Sequence, residues 1–378
     1  MIKEEKYLSL KDKALLKAVE CFEFEEISNL VKAGANPNLA ESEGNTLLHV
    51  ACDFQNLDTV MELLESGANP NLCNARGNTP LHVALDRHSE AVARALIDSG
   101  KVDIAHVDRL GNNYVHWAAI QNKPEALKAL LSQGVPVDVC PSHGMTALLF
   151  AVERSYEKCA DILLAHGANI EAADSNGRRS LLLAVMHRMA SLTETLIKRG
   201  ADVSAGDLKG VTALHRATEN KLERISLMLL EAGANPNAMG ARFDNHGVKP
   251  TNCMQWLIDS CKDTFESDDA KRDKTRGSLI LVAYGASISN DTELMNGFGE
   301  ISQAQAAAMT GLTERTLHLV GQDYIDFSSK KITSLSKIAR EGGHGETAAV
   351  LESVAARRSI DEMLSNGGDA QPQLPKIQ

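Results

Sequence analysis

Of the 12 histidines in this 378-residue chain, those at 49, 82, 116 and 215 stand out, because each occupies the same place in a recurring string of residues. Imidazole serves acid–base chemistry and metal ligation near neutral pH. A catalytic histidine, however, is needed once and has no reason to return in every repeat, so these four read as structural. Seven cysteines lie at 21, 52, 73, 140, 159, 253 and 261, with no C-x-x-C pair and an odd count, which argues against a disulfide framework and for a reducing, cytoplasmic setting. His246, Cys253 and Cys261 gather in one region, but their spacings of seven and eight match no common zinc pattern. A Cys–His nucleophile pair there needs a third, orienting group and a cleft. Cys253 fits better as a small buried residue opening a helix, and Cys52 as core. Cys73 has nothing nearby that lowers its pKa. The chain carries no phosphate-binding G-x-x-x-x-G-K-[ST], no G-x-S-x-G, no H-E-x-x-H and no calcium loop. The expectation is no catalytic residue, no cofactor and no metal.

The elements that place these histidines come from two glycine series. Gly44, Gly77, Gly111, Gly144, Gly177 and Gly210 are separated by 33, 34, 33, 33 and 33 residues. A second series, Gly34, Gly67, Gly100, Gly134, Gly167, Gly200 and Gly233, keeps the same step, usually inside Gly-Ala-Asn or Gly-Ala-Asp. Between the markers the residues dictate a repeating shape. In Gly77-Asn78-Thr79-Pro80-Leu81-His82-Val83-Ala84, glycine allows a tight turn and Pro80 sits in the first turn of a helix, where its missing N–H costs little. Leu81, Val83 and Ala84 begin one apolar stripe, and Ala91 to Ile97 supply a second before Gly100 caps it. Each unit is turn, short helix, turn, longer helix and extended finger. One unit alone cannot bury its apolar face; stacked units can.

The 33-residue period with T-P-L-H-V-A at Thr79–Ala84 resembles the ankyrin-repeat family. Thr46 to Ala51 and Thr212 to Ala217 are close variants, and Asn113 to Ala118 a looser one. Units carrying Thr146-Ala147-Leu148-Leu149 and Arg179-Ser180-Leu181-Leu182 have lost the histidine. The resemblance implies an all-α solenoid of stacked helix-turn-helix units with short β-hairpin-like fingers. It also implies that the histidine ties down the turn through the neighbouring threonine.

The expected organisation is an N-terminal cap and first unit over 1–42, six regular units over 43–238, and a degenerate unit over 239–289. The last is split by the charged insertion 262–276, with its helices at Cys253 to Ile258 and Leu279 to Ala283. Residues 290–358 read as divergent units or a small helical domain, and 359–378 as a largely disordered end rich in Gly, Pro and Gln. Thirty-nine basic against 50 acidic residues, a net charge of -11, make the chain a poor ligand for nucleic acid or an anionic membrane. The first residues, MIKEEKYLSLKDK, lack the apolar core of a signal peptide, and no stretch is long and apolar enough to span a membrane.

In ankyrin-repeat proteins partners sit on the concave side, formed by finger tips and the free edge of the first helices. Carried over by register, these positions are Glu43, Asp53 and Phe54 in the second unit, and Arg76, Asp86 and Arg87 in the third. Arg109, Leu110, Ile120 and Gln121 follow in the fourth, and His143, Met145, Glu153 and Arg154 in the fifth. The sixth supplies Arg178, Met186 and His187. Trp256, in helix one of the eighth unit, reads equally as groove anchor or core and joins the candidates, whereas Trp117 reads as core. Apolar candidates flanked by arginines point to a hot spot in units two to six. The resemblance therefore implies a protein–protein interaction scaffold or adaptor, monomeric by itself, that binds a protein or peptide. One form of it is a secreted bacterial effector in a host cytosol. The alternative is an enzyme or enzyme inhibitor with a divergent C-terminal module at 290–378.

Overall fold

The computed structural model describes residues 9–87, 89–141, 144–244, 247–262, 277–284, 303–310, 312 and 329–365. His143, most of the charged insertion and the end from 366 lie outside them. The chain divides into two compact units, Met1–Asp202 and Val203–Gln378.

The first unit holds six helix pairs: α1 Leu10–Glu20 with α2 Phe24–Lys32, α3 Leu47–Asp53 with α4 Leu57–Glu65, and α5 Pro80–Asp86 with α6 Glu90–Asp98. They continue as α7 Tyr114–Ile120 with α8 Pro124–Ser132, α9 Ala147–Glu153 with α10 Glu157–Ala165, and α11 Ser180–Met186 with α12 Ala190–Lys198. First helices pack in a row from α3 to α11, and second helices from α2 to α12. Leu48, Leu81, Val115 and Leu148 from the first row meet Leu63, Leu96, Leu130 and Leu163 from the second, each at most 1% exposed. Burying a leucine of this kind contributes about 1.5–3 kcal/mol. Ala51, Ala84, Ala118, Ala151 and Ala184 are also buried, and their small side chains let the helices close up in a chain with few aromatics.

Helix starts follow from the Thr-x-x-His string. Thr46 and Thr79 are extended N-caps; the Thr46 N–H donates to His49 Nδ1 at 3.1 Å, and Thr79 N–H to His82 Nδ1 at 3.1 Å. Where Leu149 replaces the histidine, Thr146 still caps, accepting the Leu149 N–H at 3.3 Å. After five of the first helices a left-handed residue follows: Phe22, Gln55, Asn122, Ser155 and Arg188, with φ between 53° and 58°. No glycine marks this turn, so the sequence pattern did not reveal it.

Fingers close through short backbone pairings reinforced by side chains. Asn74 Oδ1 accepts the N–H groups of Arg76 and Asn78, both at 3.0 Å, and Asp108 and Asp174 do the same two and four residues on. The fifth residue counted from Gly34, Gly67, Gly134 and Gly167 then ties one repeat to the next. Asn38 Oδ1 accepts the N–H of Asn69 and Asn71 Oδ1 that of Asp103, both at 2.7 Å. Asp138 and Glu171 accept from Asn169 and Asp202 at 2.9 Å.

The second unit opens with another regular pair, α13 Ala213–Glu219 and α14 Glu223–Glu231. There the finger becomes an antiparallel hairpin, β1 Gly240–Asp244 with β2 Gly247–Thr251. It leads into α15 Cys253–Lys262, four residues longer than the helix expected to end at Ile258, and α15 packs on α13. A helix over 277–283 takes in the expected Leu279 to Ala283. Helices Ser329–Glu341 and Gly345–Ser365 pack on each other; at 13 and 21 residues they exceed the seven and nine of a regular repeat.

Candidate functional site

A cavity of about 630 Å³ opens along one face of the first unit, across its first four repeats. Its geometry follows from the short first helices. In the string Thr-x-x-His-x-Ala, the residue after the histidine lines the groove: Val50 is buried, and Val83 and Trp117 are half-buried. The ends of α3 and α5 add Asp53 with Phe54 and Asp86 with Arg87, and the fingers add Glu41, Glu43 and Asn45 from one repeat and Asn74, Arg76 and Asn78 from the next.

At one end Phe22 and Phe54 pack with ring centroids 4.5 Å apart, and Phe24 meets Phe54 edge-on at 5.6 Å. Phe22 and Phe54 nevertheless remain about half exposed, at 51% and 47%. Phe22 also holds a left-handed φ of 57°, a conformation that costs a side chain of this kind about 1–2 kcal/mol.

Polar contacts order the walls. Arg87 Nε pairs with Asp53 Oδ1 at 2.5 Å, while Arg76 reaches Glu43 only at 4.0 Å. Asp86 accepts from Gln121 Nε2 at 2.9 Å, and Glu41 from Asn45 Nδ2 at 2.5 Å. On the floor, His82 is surrounded by Tyr114, Trp117 and His106 at centroid distances of 4.8, 5.1 and 5.3 Å. Burial, together with the neighbouring His106, pushes the His82 imidazole down to about 4. Its Nδ1 accepts the Thr79 N–H, so Nε2 carries the proton, and among the described residues that nitrogen meets no hydrogen-bond acceptor. In the preceding repeat the same nitrogen of His49 bonds the Asn78 carbonyl at 2.9 Å. Tyr114 OH bonds Thr79 Oγ1 at 2.9 Å, and burial raises this phenol to about 12. Trp117 Nε1 donates to Asp108 at 3.0 Å; burial raises the Asp108 carboxyl, but bonds from Asn112, Leu110 and Trp117 outweigh it and hold the group below its ordinary range.

Of the positions carried over by register, Glu43, Asp53, Phe54, Arg76, Asp86 and Arg87 come together in this groove. Gln121 touches it through Asp86, and the Arg109 guanidinium lies against Gly77, where a Cβ would be 3.2 Å from its Nε. Leu110 is 58% exposed and Ile120 half-buried. A second cluster forms in the fifth and sixth repeats, where Glu153 pairs with Arg178 at 3.8 Å and His187 at 3.3 Å beside exposed Arg154. Met145 and Met186 are half-buried, and His143 is outside the described residues. Trp256 is a correction: at 2% exposed, packed edge-on against His215 with the Arg216 guanidinium 5.3 Å above its ring, it belongs to the core and not to a groove wall. Trp117 is corrected in the opposite sense, from core to groove. The signal available for it was the variety of residues after the histidine position, Val50, Val83, Trp117, Phe150, Leu183 and Arg216, beside nearly constant neighbours. Phe22 gave no such signal, because its exposure depends on the unpredicted left-handed turn.

Among the described residues no three or more His, Cys, Asp or Glu side chains converge as metal ligands, and no helix is long and apolar enough to cross a membrane.

The family model for ankyrin repeats in three copies matches residues 15–108 and 100–174, and the single ankyrin-repeat model matches 209–241. Together they take in just over half of the 378 residues. The potassium channel AKT2/3 of Arabidopsis thaliana is 31% identical over 126 residues, 33% of this chain; the match spans only 15% of the channel. Among solved structures, the ankyrin repeat domain of Bcl-3, a member of the IkappaB protein family, is 28% identical, with a TM-score of 0.48 over 58% of this chain and all of that one. Repeat strings, helix pairs and family models agree: the chain belongs to the ankyrin-repeat family, whose repeats are protein–protein interaction modules.

Proposed function

We propose that this protein is a non-catalytic scaffold or adaptor that holds a partner protein or peptide in the groove spanning its first four repeats. The observation that carries this reading is the cavity of about 630 Å³ in which three aromatic side chains, Phe22, Phe54 and Trp117, share one surface with charged residues of both signs. Interface cores favour aromatics and arginine, and a few desolvated anchors supply most of the affinity. The buried His49 and His82 have structural work at the helix starts. Six unpaired cysteines among the described residues favour a reducing compartment such as the cytoplasm. The test is affinity capture on the full chain beside Phe54→Ala and Trp117→Ala variants that melt normally. Loss of the captured partner from the variants supports the groove; an unchanged captured set refutes it.

A further inference from the structure

Four carboxylates, Glu41, Glu43, Asp53 and Asp86, line the groove against two guanidiniums, Arg76 and Arg87, an excess of two negative charges. Arg87 is committed to Asp53. Glu41 and Asp86 are held only by the neutral amides of Asn45 and Gln121, and among the described residues neither is in an ion pair. Both carboxylates are oriented by hydrogen bonds and, among the described residues, have no basic group within ion-pair distance; the buried Lys123 ammonium acts on Asp86 from further away. Aromatic rings stand at both ends, Phe22 with Phe54 and, beyond them, Trp117. Ring faces bind the aliphatic stems and cationic heads of Arg and Lys. Between them the floor is closed by His82, which is buried at 1% exposed.

Resting on the groove assignment above, we infer that the occupant is a basic, extended peptide segment. It sets Lys or Arg side chains against Glu41 and Asp86 and an apolar residue on the Phe22–Phe54 pair. Charge complementarity decides against an acidic or phosphorylated segment, which would face these two carboxylates and gain only Arg76. A second copy of this chain, with a net charge of -11, is disfavoured on the same ground.

The experiment is selection of a phage-displayed random twelve-residue peptide library on the immobilised full chain, followed by affinity measurement with the enriched peptides in synthetic form. Enriched peptides carry a net charge of two or more positive, and Glu41→Gln and Asp86→Asn each weaken them about two- to fivefold. Their binding falls further as NaCl rises from about 0.05 to 0.5 M, where charges are screened within a few ångströms. Arg87→Gln, which releases Asp53, tightens them about two- to fivefold, an effect that damage to the fold does not produce. Peptides that are lost with Phe54→Ala but are acidic, neutral or indifferent to Glu41→Gln and Asp86→Asn overturn the basic occupant and leave the groove standing. An empty selection, self-association of the chain through this face, or peptides indifferent to Phe54→Ala overturns both.

Discussion

Replacing His82 by leucine tests how the capping histidines link stability to pH, because the fifth and sixth repeats already carry Leu149 and Leu182 at this position. In the folded chain the imidazole is 1% exposed and its proton affinity is lowered from the ordinary 6.5 to about 4, first by burial and then by His106. The unfolded chain takes up this proton below pH 6.5, whereas the folded chain resists it until about pH 4. The stability tied to the neutral ring is thus complete above pH 6.5 and is lost as pH falls toward 4. At about 1.4 kcal/mol per tenfold difference in proton affinity, the loss is about 3 kcal/mol. Near pH 7.5, His82→Leu removes the acceptor for the buried Thr79 N–H, at a cost of about 2 kcal/mol. The two effects cross near pH 5, so His82→Leu is the less stable protein at pH 7.5 and at least as stable as the parent at pH 4. Urea unfolding of both chains by circular dichroism at pH 7.5, 6, 5 and 4 measures the difference, and contributions of other titrating groups cancel in it. A difference that stays constant across this range refutes the buried, neutral imidazole.

Further expectations follow from the repeat contacts. Asn71→Ala removes both its acceptor for the Asp103 N–H and its donor to the Lys101 carbonyl, so stability falls by about 1–2 kcal/mol and amide exchange rises first at residues 101–105. Gln55→Asn, at φ 58°, places a residue that tolerates the left-handed region and raises stability by roughly 0.5 kcal/mol in a thermal melt; a drop of that size contradicts the turn. Alkylation mapped by mass spectrometry at pH 8 labels exposed Cys21, Cys73 and Cys140 at once. It reaches buried Cys52, Cys159 and Cys253 only in urea, since burial raises all three thiols, Cys159 to about 11 and Cys253 to about 12.

Most of the repeat was legible because its turns demand particular side chains. Thr79-Pro80 announces a helix start and the second glycine series a cap, whereas the closing of the fingers by Asn74, Asp108 and Asp174 emerged only from the structure. The left-handed turns at Phe22, Gln55 and Arg188 were not legible, since many residue types can be held there once both flanking helices are packed. Candidate groove positions could be placed by counting from the repeat string, but Trp256 misled. It falls on a regular helix-one register, whereas the finger before it has become the β1–β2 hairpin, and the Trp256 ring packs against His215 and Arg216.

Periodicity by itself determined that helices pair every 33 or 34 residues and bury leucine and alanine against their neighbours, because an amphipathic hairpin of this size has no other way to leave water. Which of the remaining side chains share a surface was decided only in three dimensions. Phe22, Phe54 and Trp117 are separated by up to 95 positions, and the stacking of α1, α3, α5 and α7 brings them to one groove. The same stacking leaves Glu41 and Asp86 without an ion pair among the described residues, since each ion pair depends on how far one repeat's side chains stand from the next.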